Sequence, residues 1–504
     1  MSTSKIYIFN TLSNYSIVVL RMVATIIFIP ILLNNYGQEE FGLYLLIFGL
    51  SSTIGFIDLG AGKSILKYAA EYKADGDKMK FQEALSATTL LNLISAFLVV
   101  LAILGLSYFS MSLFNIMPEH ATLTKNLFIV SAINAFCIFL DFIPANVLSG
   151  FSYFKRRNKL QLLPIFLNVG LLLIIHFTNS ISLITYCYLI TCINFIFFIG
   201  DLILMFRSQE LKGLTLKWQF DRKIFSNQYT RFSMILFAIS AIGFLGIQAD
   251  KLLLASILNV SAVTIYTIIT RPYLLIKSLA ATSFGAIQPI LIKTHKIDLP
   301  KFSRIVENFT RLSFIIGLSV VLLLGIFFEQ FLSIWLSTTI YNKYAVWGIF
   351  ALLNIIIPML YGAVSRTLML TSGSMYLLKF NSIAIVLNYI ISIFLTYRIG
   401  FSGVIIGTTI QFAIEFFIMN KASIKFLNFP LRRIFSKQFV LFVCLLLSLG
   451  IVLRIIVISL IPIIPIQFLW MFLFTALIFG ALNYIFITKN GQAYLFSKSY
   501  WKNP

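Results

Sequence analysis

The stretch TLSNYSIVVLRMVATIIFIPILL, residues 11–33, places one charged residue, Arg21, inside an otherwise apolar helix. At about 1.5 Å per residue, these 23 residues can cross a bilayer core of roughly 30 Å. An arginine at that depth costs roughly 2.5–3.5 kcal/mol unless water or a partner receives it. Thr11, Asn14, Arg21 and Thr25 share one helical face, because they follow one another at steps of three, seven and four. We interpret this face as the lining of a polar cavity; the alternative is a structural Arg21 paired with a carboxylate on a neighbouring helix.

The composition indicates a polytopic membrane protein. Of the 504 residues 59% are hydrophobic and only 11% are charged, which excludes an ordinary soluble domain. The net charge of +22 is explained by basic cytoplasmic loops rather than by nucleic-acid binding. The four cysteines lack metal-ligand spacing and the three histidines are far apart in sequence, so no metal and no cofactor is predicted.

The hydropathy pattern predicts an all-α fold with about 14 transmembrane helices. Alternating the loops from a cytoplasmic N-terminus puts most basic clusters inside, among them Lys155-Arg156-Arg157 with Lys159, so both termini are predicted to be cytoplasmic. Residues 63–80 mix apolar residues with lysines and acids and predict a short amphipathic helix on the cytoplasmic surface. The predicted spans are 11–33, 41–62, 84–107, 123–148, 160–178, 182–206, 230–253, 259–290, 309–330, 345–370, 377–397, 401–420, 438–460 and 463–487.

A weak internal repeat divides the chain. Aligning Tyr44 with Tyr266 places spans one and two over spans seven and eight. The offset of six spans is an even number, so both copies cross the membrane in the same orientation. Two six-helix lobes related by an axis along the membrane normal are a recurrent transporter plan. The predicted domains are an N-terminal lobe at 1–215, a C-terminal lobe at 216–430, and an extra helix pair with a cytoplasmic tail at 431–504.

The eighth span is a second cationic helix. Thr264, Thr267, Arg271 and Ser278 share one face, and Lys277 lies about 120° around the helix from Arg271. Arg21 and Arg271 from opposite lobes would make a positively charged chamber; the alternative is that Arg271 and Lys277 extend to the cytoplasmic surface.

Acidic residues within the spans are few. Glu415, inside span twelve, and Asp58, near the cytoplasmic end of span two, are the candidates for proton or ion coupling. The sequence Gly60-Ala-Gly-Lys-Ser64 resembles the end of a phosphate-binding loop, but Ile57 occupies the required glycine position and a membrane helix precedes it. ATP is therefore not the predicted energy source.

Several motifs resemble those of one family. Arg21, Ile29-Pro30, the run from Tyr36 to Tyr44 (YGQEEFGLY), Asp58-Leu-Gly and Lys67-Tyr-Ala-Ala-Glu-Tyr72 look like the start of a Wzx-type polysaccharide flippase. The second lobe matches more loosely, through Asp250-Lys251-Leu252 and through Tyr266 before Arg271. That family belongs to the multidrug/oligosaccharidyl-lipid/polysaccharide exporter superfamily. The resemblance implies a V-shaped, cation-lined cavity between spans 1–6 and 7–12.

The function that the resemblance implies is transport rather than catalysis. The expected cargo is an undecaprenyl-diphosphate-linked oligosaccharide, flipped across the bacterial inner membrane for O-antigen, lipopolysaccharide or another surface polysaccharide. The expected partners are membrane lipids and the polysaccharide polymerase and chain-length proteins, without nucleic acid. Two alternatives stay open: a lipid II flippase or drug exporter of the same superfamily, and a membrane polymerase or acyltransferase. The predicted substrate-binding residues are Arg21, Arg271, Lys277, Asn14 and Thr25.

Overall fold

The first helical stretch folds back on itself at Gly37. In the computed structural model, helix α1 covers Thr3–Ile54, but Gly37 has φ 74° and ψ 177°, which interrupts the helix. The ring centroids of Phe28 and Phe41 are 5.9 Å apart, whereas thirteen residues of straight helix would separate them by about 20 Å. The two arms of α1 are therefore antiparallel, and the predicted spans one and two are distinct segments joined by a turn that glycine permits.

The structure describes residues 3–54, 61–151, 153–178, 180–211, 249–369, 373–459 and 465–489, and within these ranges it is helical without strands. Cα packing forms two compact units, Met1–Tyr266 and Thr267–Pro504. Residues 249–257 are helical, and short 3₁₀ turns lie at Pro118–His120, Gln209–Leu211, Asn342–Tyr344 and Leu431–Ile434. The remaining helices are α2 (Ala61–Asp75), α3 (Lys78–Leu113), α4 (Ala121–Gly150), α5 (Phe154–Thr178), α6 (Leu183–Phe206), α7 (Val260–Ile297), α8 (Leu299–Ile326), α9 (Phe328–Leu336), α10 (Ala345–Leu353), α11 (Ile356–Met369), α12 (Ser374–Ile399), α13 (Ser402–Leu427), α14 (Lys437–Ser459) and α15 (Pro465–Lys489).

The helices are those of a multi-pass membrane protein. Within the described ranges, ten segments are long and apolar enough to cross a bilayer, and the segment Val19–Gly49 contains the turn between the two arms of α1. Large apolar side chains on α3 and α12, such as Phe97, Leu98, Phe394 and Ile390, are exposed, as expected of a lipid-facing surface. The seventh predicted span lies mostly in residues 212–248, outside the described residues, so the count of fourteen stays a prediction.

Helix α2 is amphipathic, as the sequence predicts. Its apolar face, with Ile65, Tyr68 and Tyr72, packs against Phe81 and Phe151 of unit 1. Burial and the neighbouring Glu210 raise the pKa of Tyr72, so its hydroxyl stays protonated and donates to the Glu210 carbonyl at 3.0 Å. Lys73, the next residue, pairs with the Glu210 carboxylate at 3.1 Å.

The helices α12 and α13 form the tightest hairpin of unit 2. Gly400, with φ 69°, makes the turn between them. A Cβ at Gly403 would lie 2.5 Å from the Leu395 carbonyl carbon, and a Cβ at Gly407 would lie 2.0 Å from the Ser392 hydroxyl. The absence of side chains at these two glycines therefore allows the helices to approach closely, which brings the polar residues on their facing sides into contact.

The helices α14 and α15, predicted as the extra pair, are fixed to α8 and α9 by polar contacts. Arg454 of α14 donates to the Ile326 carbonyl at 2.5 Å and to the Glu329 carboxylate at 2.6 Å. Asn483 of α15 donates to Ser319 at 3.1 Å. The pair is thus an integral part of unit 2. The predicted domain boundaries at 215 and 430 stay predictions, since the compact units divide the chain within α7.

Candidate functional site

Arg21 lies on the first arm of α1, sixteen residues before the Gly37 turn, or about 24 Å along the helix axis. Its side chain is exposed. Within the described ranges no carboxylate lies within the 4.0 Å of an ion pair with Arg21. This environment favours the cavity interpretation over a structural ion pair.

Two further predicted residues share the helix with Arg21. Thr25 is partly exposed, and its hydroxyl donates to the Arg21 carbonyl at 2.8 Å, which leaves its oxygen free to accept a hydrogen bond. Asn14 is in α1, but its side chain lies outside the described residues. Asp58 also lies outside them, in the gap at 55–60. The proposed roles of these residues stay predictions.

A second guanidinium lies close to Arg21. Arg157, in the first turns of α5, is near enough for the two positive charges to repel each other. Arg157 is held by two aspartates, Asp201 of α6 at 2.7 Å and Asp141 of α4 at 3.4 Å. The sequence predicts Arg157 in a cytoplasmic loop and does not connect it with the aspartates. Their positions near the cytoplasmic ends of adjacent predicted spans are the feature that could have connected them.

The cationic residues of α7 belong to unit 2. Arg271 is partly exposed, and Lys277 is exposed, with its ammonium 5.4 Å from the Tyr273 ring and 5.7 Å from the Phe412 ring. These distances are typical of cation–π contacts, so Lys277 lies against α13 through Phe412. The face predicted for α7 is only partly accessible: Thr264 and Thr267 are buried, and the Thr264 hydroxyl donates to the Gln38 carbonyl at 2.8 Å.

Glu415 is the centre of a buried polar chain in unit 2. Only 9% of the residue is exposed, and each carboxylate oxygen accepts one hydrogen bond: Oε2 from Tyr361 at 2.6 Å and Oε1 from Gln411 at 2.7 Å. Asn388 donates to Gln411 at 2.8 Å, and Ser392 donates to Asn388 at 2.9 Å. Every donor in this chain is directed toward Glu415, which suits an ionised, acceptor-only carboxylate.

The charge on Glu415 is not balanced by a salt bridge. No lysine, arginine or histidine in the described part of the chain lies within 4.0 Å of its carboxylate. Among the described residues, the carboxylate is therefore stabilised by two neutral donors, Tyr361 and Gln411.

Three buried amides are engaged inside unit 2. Asn388 and Gln411 belong to the chain that ends at Glu415. Asn354, at the break between α10 and α11, accepts from Thr409 at 2.7 Å and donates to the Ile405 carbonyl at 3.4 Å. These amides fix helices to one another, which is the commoner role of a buried amide.

One group of side chains has metal-binding chemistry. Donor atoms of Glu39, Glu119 and His120 lie within 4.8 Å of one another. Glu39 and His120 line a cavity of about 50 Å³ in unit 1. Two carboxylates and an imidazole suit a divalent transition metal. However, His120 Nε2 and the Glu39 carboxylate already form a hydrogen bond with each other at 3.1 Å. The sequence analysis missed this contact because the two residues are far apart along the chain.

The fold is similar to that of solved transporter structures. An inward-closed structure of the lipid II flippase MurJ matches with a TM-score of 0.75 and 14% identity, over 96% of this chain and 99% of that chain. An inward-facing multidrug resistance MATE family transporter of the MOP superfamily matches with a TM-score of 0.65 and 14% identity, over 81% and 96% of the two chains. A eukaryotic MATE transporter matches with a TM-score of 0.62 and 13% identity, over 84% and 95%.

The sequence itself has no such match. No protein-family model matches it, and no curated protein matches it. At 13–14% identity the likeness is one of fold. The chain therefore has the multi-pass helical fold shared by the lipid II flippase and the MATE transporters.

Proposed function

We propose that this protein is a flippase that moves polyprenyl-diphosphate-linked oligosaccharide units across the bacterial inner membrane by alternating access, for cell-surface polysaccharide biosynthesis. The observation that carries the proposal is Arg21: an accessible guanidinium on a membrane-spanning arm, with Arg157 close by and no carboxylate of its own among the described residues. Such a group is costly in a membrane unless it serves a polar pathway.

The chemistry of the cargo fits such a pathway. A polyprenyl diphosphate has an apolar tail that can stay in lipid and an anionic head that would cost on the order of tens of kcal/mol to move through hydrocarbon. A water-filled, cationic cavity removes most of that barrier. Arginine suits the head because its planar fork donates two parallel hydrogen bonds to phosphate oxygens. In this proposal Arg21, Arg271 and Lys277 bind the diphosphate, while Asn14 and Thr25 bind sugar hydroxyls.

The full-length fold likeness to a lipid II flippase supports a lipid-linked cargo, and it makes lipid II the second candidate. Both candidates share the lipid diphosphate and differ in the attached sugars. An exporter of cationic drugs is the weaker alternative, because Arg21 would repel a cation. The proposed partners are membrane lipids and the polymerase and chain-length proteins of the same polysaccharide pathway.

The proposed energy source is an ion gradient or the membrane potential. Glu415 is the candidate in unit 2, since its buried carboxylate can take up a proton or a small cation without displacing a protein cation. Asp58 stays a second candidate on the sequence alone.

Deletion of the gene, followed by chromatography of lipid-linked intermediates, tests the proposal. We expect an undecaprenyl-linked oligosaccharide to accumulate in the cytoplasmic leaflet and to disappear when the gene is restored. Accumulation of lipid II instead would identify the second candidate. Normal lipid-linked pools together with increased sensitivity to cationic drugs would overturn the flippase proposal in favour of drug export.

A further inference from the structure

Three charged side chains from three helices of unit 1 meet in a buried position. Arg157 Nε donates to Asp201 Oδ2 at 2.7 Å, and Arg157 Nη2 donates to Asp141 Oδ2 at 3.4 Å. The Asp201 side chain is fully buried, and the other two side chains are 17–20% exposed. All three residues lie in segments that are apolar and long enough to cross the membrane. The Arg157 guanidinium also lies 5.9 Å from the Phe197 ring, which holds it against α6.

The charges of these three residues do not cancel. Two ionised aspartates and one arginine leave a net charge of −1, and an unbalanced charge is expensive in a low-dielectric interior. Within the described ranges, Oδ1 of Asp141 and Oδ1 of Asp201 are both buried and have no hydrogen-bond partner. An ionised carboxylate can only accept, so neither aspartate can satisfy the other while both are charged. A single proton neutralises the group and supplies the missing donor.

The surroundings contain few other charges. From α1, Arg21 is near enough to Arg157 for the two positive charges to repel each other, and among the described residues it forms no ion pair with Asp141 or Asp201. From α2, Lys73 donates to the Phe151 carbonyl, which is ten residues past Asp141, or about 15 Å along α4. From α3, residues 84–113 carry no charged side chain, and Asn92 donates to the Phe139 carbonyl at 2.7 Å. The proton is therefore the simplest means of balancing the group.

We propose that Asp141 and Asp201 share one exchangeable proton and form, with Arg157, a proton-binding site of unit 1 that is separate from Glu415 in unit 2. The site does not depend on the identity of the cargo. Its consequence for transport rests on the proposed function: while the proton is bound, only one aspartate is ionised against Arg157. More of the Arg157 charge is then available beside Arg21 to attract an anionic head group.

Infrared difference spectroscopy of the full-length protein in liposomes tests the site directly. We expect a protonated carboxyl band that shifts in D₂O and titrates with pH, and that is lost in both Asp141→Asn and Asp201→Asn. Each variant keeps one carboxylate for Arg157 and no excess charge, so both should fold with wild-type yield. If the fully buried Asp201 position does not tolerate the change, Asp141→Asn alone carries the test. The matched control Glu415→Gln should keep this band.

The proposal is overturned if the wild type shows no such band near neutral pH, or if the band persists in Asp141→Asn. The double variant Asp141→Asn/Asp201→Asn gives an independent check, because it leaves Arg157 without a carboxylate. We expect its yield to fall although both single variants are normal, and equal yields would contradict the shared role of the two aspartates. Failure of the flippase proposal would be seen separately, as absent transport by a protein that still shows the band.

Discussion

The Gly407→Ala substitution tests whether the close approach of α12 and α13 builds the Glu415 site. The added methyl group would lie 2.0 Å from Ser392 Oγ, 2.6 Å from Asn388 Oδ1 and 3.2 Å from Ser392 Cβ. Ordinary contact begins near 3.4 Å, so either the helices separate by about 1.4 Å or the Ser392 and Asn388 side chains move away. Separation of the helices breaks the hydrogen bond between Asn388 and Gln411, and movement of the side chains breaks the one between Ser392 and Asn388. In both cases the chain that ends at Glu415 is interrupted.

The expected cost follows from that geometry. Overpacking of a tight core costs about 1–3 kcal/mol, and a lost neutral hydrogen bond lies within that range. Gly105→Ala is the matched control, because Gly105 is also within a helix and a Cβ there would have no neighbour within 4 Å. Glycine-to-alanine changes at such positions stabilise the folded protein by about 0.4–1 kcal/mol. The free energies of unfolding of the two variants should therefore differ by roughly 1.5–4 kcal/mol.

Thermal unfolding of both purified variants in the same detergent measures this difference, and flipping assays at several pH values measure its functional consequence. We expect Gly407→Ala to unfold at a lower temperature than the wild type and to lose pH dependence, while Gly105→Ala matches or exceeds the wild type. If Gly407→Ala is as stable as Gly105→Ala and keeps the wild-type pH profile, the packing argument is refuted.

Two other predictions concern the coupling residue and the topology. Glu415→Gln should reduce transport and change its pH dependence at normal expression, because a neutral amide cannot release a proton and Gln411 must reorient beside it. Tyr361→Phe keeps the Glu415 carboxylate but removes the hydrogen-bond donor at 2.6 Å, so it should have a smaller effect of the same kind. An unaltered pH profile in Glu415→Gln would remove that residue from the mechanism. Reporter fusions should place two positions outside, after Glu119 and Asn342, and four in the cytoplasm, after Lys159, Arg222, Lys301 and Arg433. A cytoplasmic signal at Glu119 would invalidate the predicted order of spans.

The positions of the helices are largely readable from the sequence because burial in lipid imposes a long apolar run on each span. The sequence predicts the break between spans one and two, which the structure places at Gly37, and the amphipathic α2, and each depends on residues close together in the chain. The same local reasoning located Arg21 on the polar face of its helix. It placed Arg21 in the middle of an isolated span, whereas the structure adds that Arg157 of α5 lies beside it.

The contacts between helices were not readable in the same way. Glu415 is a lone acid in the sequence, and its donor Gln411 lies four residues before it on the same helix. Its other donor, Tyr361, lies on α11, whose register against α13 no single-sequence pattern specifies. The sequence predicts Arg157 in a loop because basic residues usually mark the cytoplasmic side of a membrane protein. That rule gives no information about buried carboxylates, such as those of Asp141 and Asp201, that can pair with an arginine. Side-chain networks of this kind depend on tertiary packing, which one sequence does not reveal.

The most direct measurement of the central claim is the rate at which purified protein flips an undecaprenyl-diphosphate oligosaccharide in proteoliposomes. An Arg21→Ala protein loses charge-assisted hydrogen bonds of about 1.5–3 kcal/mol, so binding should weaken roughly tenfold to hundredfold. Arg21→Lys keeps the charge without the fork and should be intermediate. Arg398→Ala, which removes an exposed arginine at the end of α12, should match the wild type. An abundant, well-folded Arg21→Ala protein that flips the lipid at the wild-type rate would contradict the account.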